Sequence, residues 1–379
     1  MRLLAGALLL LAVAVDVAGA AGFTDDFDES VMQVVAAALG PGGLAPLHWS
    51  NGTSPCEAWA GVRCDTNGRV VAVLGAARRV HKLPTLQLLD FRDNNINGPV
   101  AVAPFPELRR LHIDSNNFSS VPTGFLFFFP SLEVLTMSNN NQSEPWTLRK
   151  AAPNLPNLRV LQASNASITG TLSLFLGNST SFPNLAQLSL ADNKLNGPVP
   201  ATFVSQTLRY LDLSNNKLTG SIEFVMNFLN IKAVRLDGNA FTGRLPDFSK
   251  LPKLRYLSVA QNQFTGYVPA SLAEHTGLKA VYLAGGNVFQ GPMPQFGPSV
   301  QTDVLDAASR GSFCRPEPGP CQESVTQLLS VAAGFKFPAM LVASWKGNDP
   351  CSRVAGRPLR HERSGHRRQL VPSRARRDT

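Results

Sequence analysis

Residues 185–269 read LAQLSLADNKLNGPVP from Leu185, LRYLDLSNNKLTGSIE from Leu208, IKAVRLDGNAFTGRLP from Ile231 and LRYLSVAQNQFTGYVP from Leu254. One pattern, L-x-x-L-x-L-x-x-N-x-[LF]-x-G-x-[IV]-P, returns every 23 residues. A copy of that length cannot bury its own apolar side, so the copies must stack. The first apolar positions form a short strand. The Asn sits at the turn, where its amide can satisfy backbone groups of its own coil and of the next one.

Working outward, copies begin at Leu86, Leu108, Leu132, Leu158, Leu185, Leu208, Ile231, Leu254 and Leu278. The ladder position holds Asn94, Asn116, Asn140, Asn193, Asn216, Asn239 and Asn262. Ala166 replaces it in the fourth copy. In the ninth, Gly286 stands there and the Asn moves to Asn287. The third and fourth copies are the longest, which places the irregular surface around residues 117–184. Side chains two, four and six residues after each first apolar residue point away from the core, because strand side chains alternate. In copies six to nine those columns hold Tyr210, Asp212, Ser214; Ala233, Arg235, Asp237; Tyr256, Ser258, Ala260; and Ala280, Tyr282, Ala284. Three of the four Tyr of the chain are among them. Tyr combines large apolar area with a hydroxyl and is favoured at binding hot spots. Tyr210, Asp212, Arg235, Asp237, Tyr256 and Tyr282 are therefore the candidate partner-binding residues.

Composition narrows the class. A hydrophobic content of 44% suits a packed protein. The formal charge of +9 is misleading. Between Arg353 and Thr379 nine Arg face only Glu362 and Asp378, a net +7, which leaves about +2 elsewhere. A basic partner-seeking surface is not indicated for the folded part, and nucleic acid is not an expected partner. Residues 1–21 read as a secretory signal: Arg2, an apolar run from Leu3 to Val15, then Ala18, Gly19 and Ala20 for cleavage. An exported chain meets an oxidising compartment in which its five Cys can pair. Sequons at Asn51, Asn117, Asn141, Asn165 and Asn178 suit the same compartment. No later apolar run reaches the ~18 residues of a membrane span.

At the N-terminal end, residues 22–67 read as a cap over the first repeat. Asp28 to Gly40 is a helix candidate, and Cys56 and Cys64 close a small loop behind Trp49. Repeats occupy 68–300. Residues 301–352 form a Cys- and Pro-rich island in which Cys314 and Cys321 are seven apart, followed by a helix candidate over Glu323–Gly334 and by Trp345, Pro350 and Cys351. That order copies the first cap but stops before its second half, leaving Cys351 without its mate. Residues 353–379 are a basic tail without apolar periodicity, expected to be disordered.

The repeat form resembles the plant-type leucine-rich repeats of receptor-like kinases. The later motifs are more specific. Phe289-Gln-Gly-Pro-Met-Pro-Gln-Phe, Pro298-Ser-Val-Gln-Thr-Asp, the Cys314 to Cys321 loop and Trp345-Lys-Gly-Asn-Asp-Pro-Cys351 are similar to the ectodomain of the TMK transmembrane-kinase family. The resemblance covers roughly residues 23–352. It implies an α/β repeat fold, a right-handed leucine-rich-repeat solenoid of the plant-type horseshoe or superhelix, with a disulfide-bonded N-terminal cap. It also implies auxin-linked signalling at the cell surface, with auxin-binding proteins or full-length receptor kinases as partners. The sequence departs from the family after Ser352: the second repeat block, the membrane span and the kinase do not follow.

The functional expectation is a secreted, apoplastic module that binds an extracellular protein or peptide. No catalytic residues, metal site or cofactor are expected, since the Gly-rich loop, catalytic-loop Asp and D-F-G of phosphoryl transfer are missing. The alternatives are a cell-wall defence protein of the polygalacturonase-inhibitor type and an inactive truncated product.

Overall fold

The computed structural model describes residues 53–59, 62–64, 66–68, 70–74, 85–93, 96–100, 104–122, 124–140, 144–148, 154–176, 182–292, 294–303, 313–315, 320–335 and 337. The signal segment, the Asp28–Gly40 helix candidate, Asn94, the sequons at Asn51, Asn141 and Asn178, Cys351 and the basic tail lie outside them.

The described chain is a solenoid of stacked coils. Each coil contributes a three-residue strand centred on the second Leu of the pattern, among them Gln187–Ser189, Tyr210–Asp212, Ala233–Arg235, Tyr256–Ser258 and Ala280–Tyr282. Twelve strands join in one sheet in chain order. All pairings are parallel except the first, where Val62–Cys64 runs antiparallel to Val70–Leu74 in the cap. Along the parallel pairs of this sheet the registers repeat without a slip: Gln187 faces Tyr210, Tyr210 faces Ala233, Ala233 faces Tyr256 and Tyr256 faces Ala280. The apolar positions stack into a continuous core; Leu185, Leu208, Ile231 and Leu254 have no exposed surface.

A second sheet lies where the sequence suggested turns. Seven short strands, from Trp146–Leu148 to Val288–Phe289, pair in parallel, and Asn97–Pro99 and Asn117–Ser120 form a separate pair. These strands carry the L-x-G part of the repeat. Inside them Phe241, Phe264 and Phe289 stack at 6.4 Å between centroids. The helical part expected of an α/β repeat is small: turns of three to five residues such as Glu223–Asn227, Phe248–Lys250 and Ala270–Ala273.

The ladder of Asn amides is present, but it reaches back to the preceding coil rather than on to the next. Asn216 Nδ2 donates to Leu190 C=O of the coil before (2.9 Å) and to Leu213 and Ser214 of its own (3.1 and 3.0 Å), while Oδ1 accepts the Leu195 N–H (3.0 Å). Asn239 and Asn262 repeat this arrangement. The displaced Asn287 also joins the ladder, taking the Phe264 N–H and donating to Val259. Ala166 brings no amide to the ladder; Asn193 of the next coil keeps its usual bond from the Ile168 N–H and also accepts the Ala166 N–H. Asn140 is different: its amide donates normally, but its buried Oδ1 has no partner. The defect coincides with the break in the second sheet, between Asn117–Ser120 and Trp146–Leu148.

Cys56 pairs with Cys64 and Cys314 with Cys321. Behind the second bridge a helix runs over Glu323–Gly334 and turns Val325, Leu329 and Ala332 inward. Phe337 closes the segment by packing edge-on against Tyr267, 5.3 Å between centroids. This block therefore covers the last strands of the second sheet.

Candidate binding face on the inner sheet

Parallel stacking converts a 23-residue sequence period into a strand-to-strand distance of ~4.8 Å. Residues one repeat apart therefore touch. Tyr256 and Tyr282 lie in adjacent strands with ring centroids 5.6 Å apart, tilted by 46°. The Arg235 guanidinium sits over the Tyr256 ring, 5.6 Å from its centroid. Its other side faces Asp212, with 3.6 Å between Nη1 and Oδ2. Tyr210 begins the strand of Asp212 and is 45% exposed, one of the few large apolar surfaces left open. Five of the six candidate residues thus form one surface: Tyr210 and Asp212 in one strand, then Arg235, Tyr256 and Tyr282.

Asp237 stands beside this group at the ends of the strands, and its Oδ1 is covered without a hydrogen-bond partner. An unpaired carboxylate oxygen at such a place is costly unless a donor arrives. Burial, working against ionisation, pushes the Asp212 carboxyl above its ordinary range although Ser214 and Arg235 pull it down. Ser214 donates both its N–H (3.1 Å) and its hydroxyl (2.6 Å) to Asp212 Oδ1. Burial likewise pushes the Tyr256 hydroxyl up. An Arg between an aromatic ring and a carboxylate is held in place, so a partner meets a preorganised surface at low entropic cost.

Three members of the expected outward columns are not available. Ser214, Ser258 and Ala280 are buried. The alternation of the strand is intact, but register decides what is covered. Ala280 faces Tyr256, and Ser258 lies between Arg235 and Tyr282, so each short side chain sits beside longer ones.

The first three repeats bear a different face. Arg92 grips Asp90 with Nε (2.9 and 3.1 Å) and Nη2 (2.6 Å). Burial opposes ionisation of Asp90, but the Arg92 contacts outweigh it and the carboxyl ends below its usual range. His112 Nδ1 lies 2.9 Å from the Thr136 hydroxyl, which itself donates to Asp114. These groups satisfy one another and form a structural polar network. The sequons at Asn117 and Asn165 are on this half of the solenoid, both exposed. Among the described residues no group of three His, Cys, Asp or Glu could hold a metal ion, and no helix is long and apolar enough to cross a membrane.

The leucine rich repeat N-terminal domain matches twice, over residues 25–65 and 321–352, and the Leucine Rich Repeat family matches residues 207–228. Receptor-like kinase TMK2 of Arabidopsis thaliana is 33% identical over 343 residues, covering 87% of this chain and 38% of its own length. Receptor-like kinase TMK4 of the same plant is 31% identical, covering 86% of this chain and 35% of its own. The chain thus spans little more than a third of the length of these relatives. A solved plant ice-binding protein shares the fold, with a TM-score of 0.62 over 79% of this chain and 99% of that one, at 23% identity. The chain is a leucine-rich-repeat solenoid similar to part of the plant TMK receptor-like kinases, as the late motifs implied.

Proposed function

We propose that the inner sheet of repeats five to nine binds an extracellular protein or peptide, and that the chain acts by binding and not by catalysis. The observation that carries this reading is the Asp212–Arg235–Tyr256–Tyr282 chain of contacts, which places two aromatic rings and a stacked Arg side by side on an open face. Aromatic residues and Arg are the side chains enriched at binding hot spots. The sequon positions agree with this choice of face, because a glycan solvates the surface around its base. No sequon occurs beyond Asn178. The kinship with TMK kinases makes auxin-binding proteins and full-length receptor kinases of the apoplast the first partners to try.

The test is capture of apoplastic proteins by the full chain and by Tyr256→Ala/Tyr282→Ala, followed by affinity measurement with each captured partner. Loss of a hot spot costs at least ~2 kcal/mol, about thirtyfold in affinity. Unchanged affinity in a folded double variant would show that the Tyr pair only fills surface.

A further inference from the structure

Outside its last 27 residues the chain is close to neutral, yet the coil geometry sorts its charges. The residue directly after the first apolar position of each repeat lies in a column along one rim of the inner sheet. Backbone hydrogen bonds define that column. Lys232 N–H donates to Arg209 C=O (2.8 Å), Arg255 N–H to Lys232 C=O (2.8 Å) and Lys279 N–H to Arg255 C=O (2.7 Å). At ~4.8 Å per strand the four cations form a straight row of about 14 Å. Arg209, Arg255 and Lys279 are exposed and Lys232 is half-buried.

Among the described residues no ion pair neutralises the row. Residues 204–210, 227–233, 250–256 and 274–280, which lead into these four strands, contain six Lys or Arg and a single carboxylate, Glu274. Earlier in the same column a carboxylate does interrupt the cations: Glu133 stands between Arg109 and Arg159 and bonds Arg109 at 3.0 Å. Like charges held one strand apart repel and destabilise a sheet. The fold therefore gains no charge pairing from this row, and a ligand of opposite charge would supply it.

Spacing selects the ligand. An extended acidic peptide advances ~3.3–3.4 Å per residue and so per charge, out of step with the strands. A nucleic-acid duplex advances ~3.4 Å per phosphate along each strand, also out of step. A polyuronate carries one carboxylate per sugar and advances by about one pyranose ring per charge, a distance comparable with the strand separation. We infer that the rim formed by Arg209, Lys232, Arg255 and Lys279 binds a linear, unesterified polyuronate. This site is separate from the Tyr face and does not depend on it.

The experiment uses the full chain and measures binding to polygalacturonate, its methyl ester, polyglutamate and duplex DNA over a range of salt. Arg209→Gln/Lys232→Gln/Arg255→Gln/Lys279→Gln is compared with Arg367→Gln/Arg368→Gln/Arg376→Gln/Arg377→Gln, which removes the same charge from the basic tail. The rim variant should lose at least about tenfold in affinity for polygalacturonate and show a shallower salt dependence, while the tail variant changes less than about threefold. The methyl ester should not bind, and Tyr256→Ala/Tyr282→Ala should bind polygalacturonate as the parent does. Because removing the row relieves repulsion, the rim variant should melt no earlier than the parent. If it does unfold, Arg209→Gln/Lys279→Gln carries the same comparison. The inference is overturned if the tail variant loses as much as the rim variant, or if polyglutamate or DNA binds as tightly as polygalacturonate.

Discussion

Asn216→Ala and Asn140→Ala should differ in cost, although both remove the same side chain from the same ladder position. Around Asn216 the three carbonyl acceptors keep other donors: Leu190 retains Asn193, Leu213 retains Asn239 and Ser214 retains the Asp192 N–H. The group left stranded is the Leu195 N–H, buried in the second sheet, which loses Asn216 Oδ1. An orphaned buried N–H costs about 1–3 kcal/mol, so about 2 kcal/mol is expected. For a chain this long that lowers the melting temperature by about 3 °C. Asn140→Ala also strands a group, because Met137 C=O loses its donor. The same substitution, however, removes an Oδ1 that is already buried and unpaired. The two effects oppose each other, and the net cost should stay under about 1 kcal/mol. Urea unfolding followed by circular dichroism reads both values, provided the slope with denaturant is unchanged. Loss of side-chain packing is common to the pair and cancels in the comparison. Equal costs, or a larger one for Asn140→Ala, would refute the account of the ladder given above.

Two further outcomes follow from other sites. Burial raises the Asp212 carboxyl above its unfolded value, so the folded state binds that proton more tightly than the unfolded chain does. Its contribution to stability therefore grows as pH falls through the folded value. The difference in urea midpoint between the parent and Asp212→Asn, followed from neutral to acid pH, should move in the parent's favour. A constant difference would exclude a raised value. Gly238 and Gly243 both have positive φ, at 67° and 86°, but a Cβ on Gly243 meets open space while one on Gly238 would collide with Asn215 Oδ1 and lie 3.3 Å from its Cα. The Asn215 amide is tied to Asp192 at 2.8 Å and cannot swing freely. Gly243→Ala should cost about 1–2 kcal/mol from backbone strain alone and Gly238→Ala distinctly more; equal shifts in thermal melts of the two variants would show the contact to be irrelevant.

The periodicity of the chain alone determined that it coils, where each inner strand falls, which Leu face the core and that Asn lines the turn. It also located the Glu323–Gly334 helix, whose apolar positions share one face. These features depend on residues a few positions apart, and the pattern displays them directly. The late motifs pointed to the TMK kinases for a different reason, as specific strings that stacking does not require. What only the tertiary structure decided depends on residues one full repeat apart. The second sheet was hidden because its strands are built from L-x-G segments that read as turns. The direction of the Asn ladder, the burial of Ser258 and Ala280, and the contact of Tyr256 with Tyr282 all follow from register, which places a residue beside a particular neighbour in the next coil. The row from Arg209 to Lys279 is the plainest case: its members are 23 or 24 residues apart, with carboxylates interspersed between them, and carry no local signature. Stacking brings them to strand distance, where isolated charges become a single line.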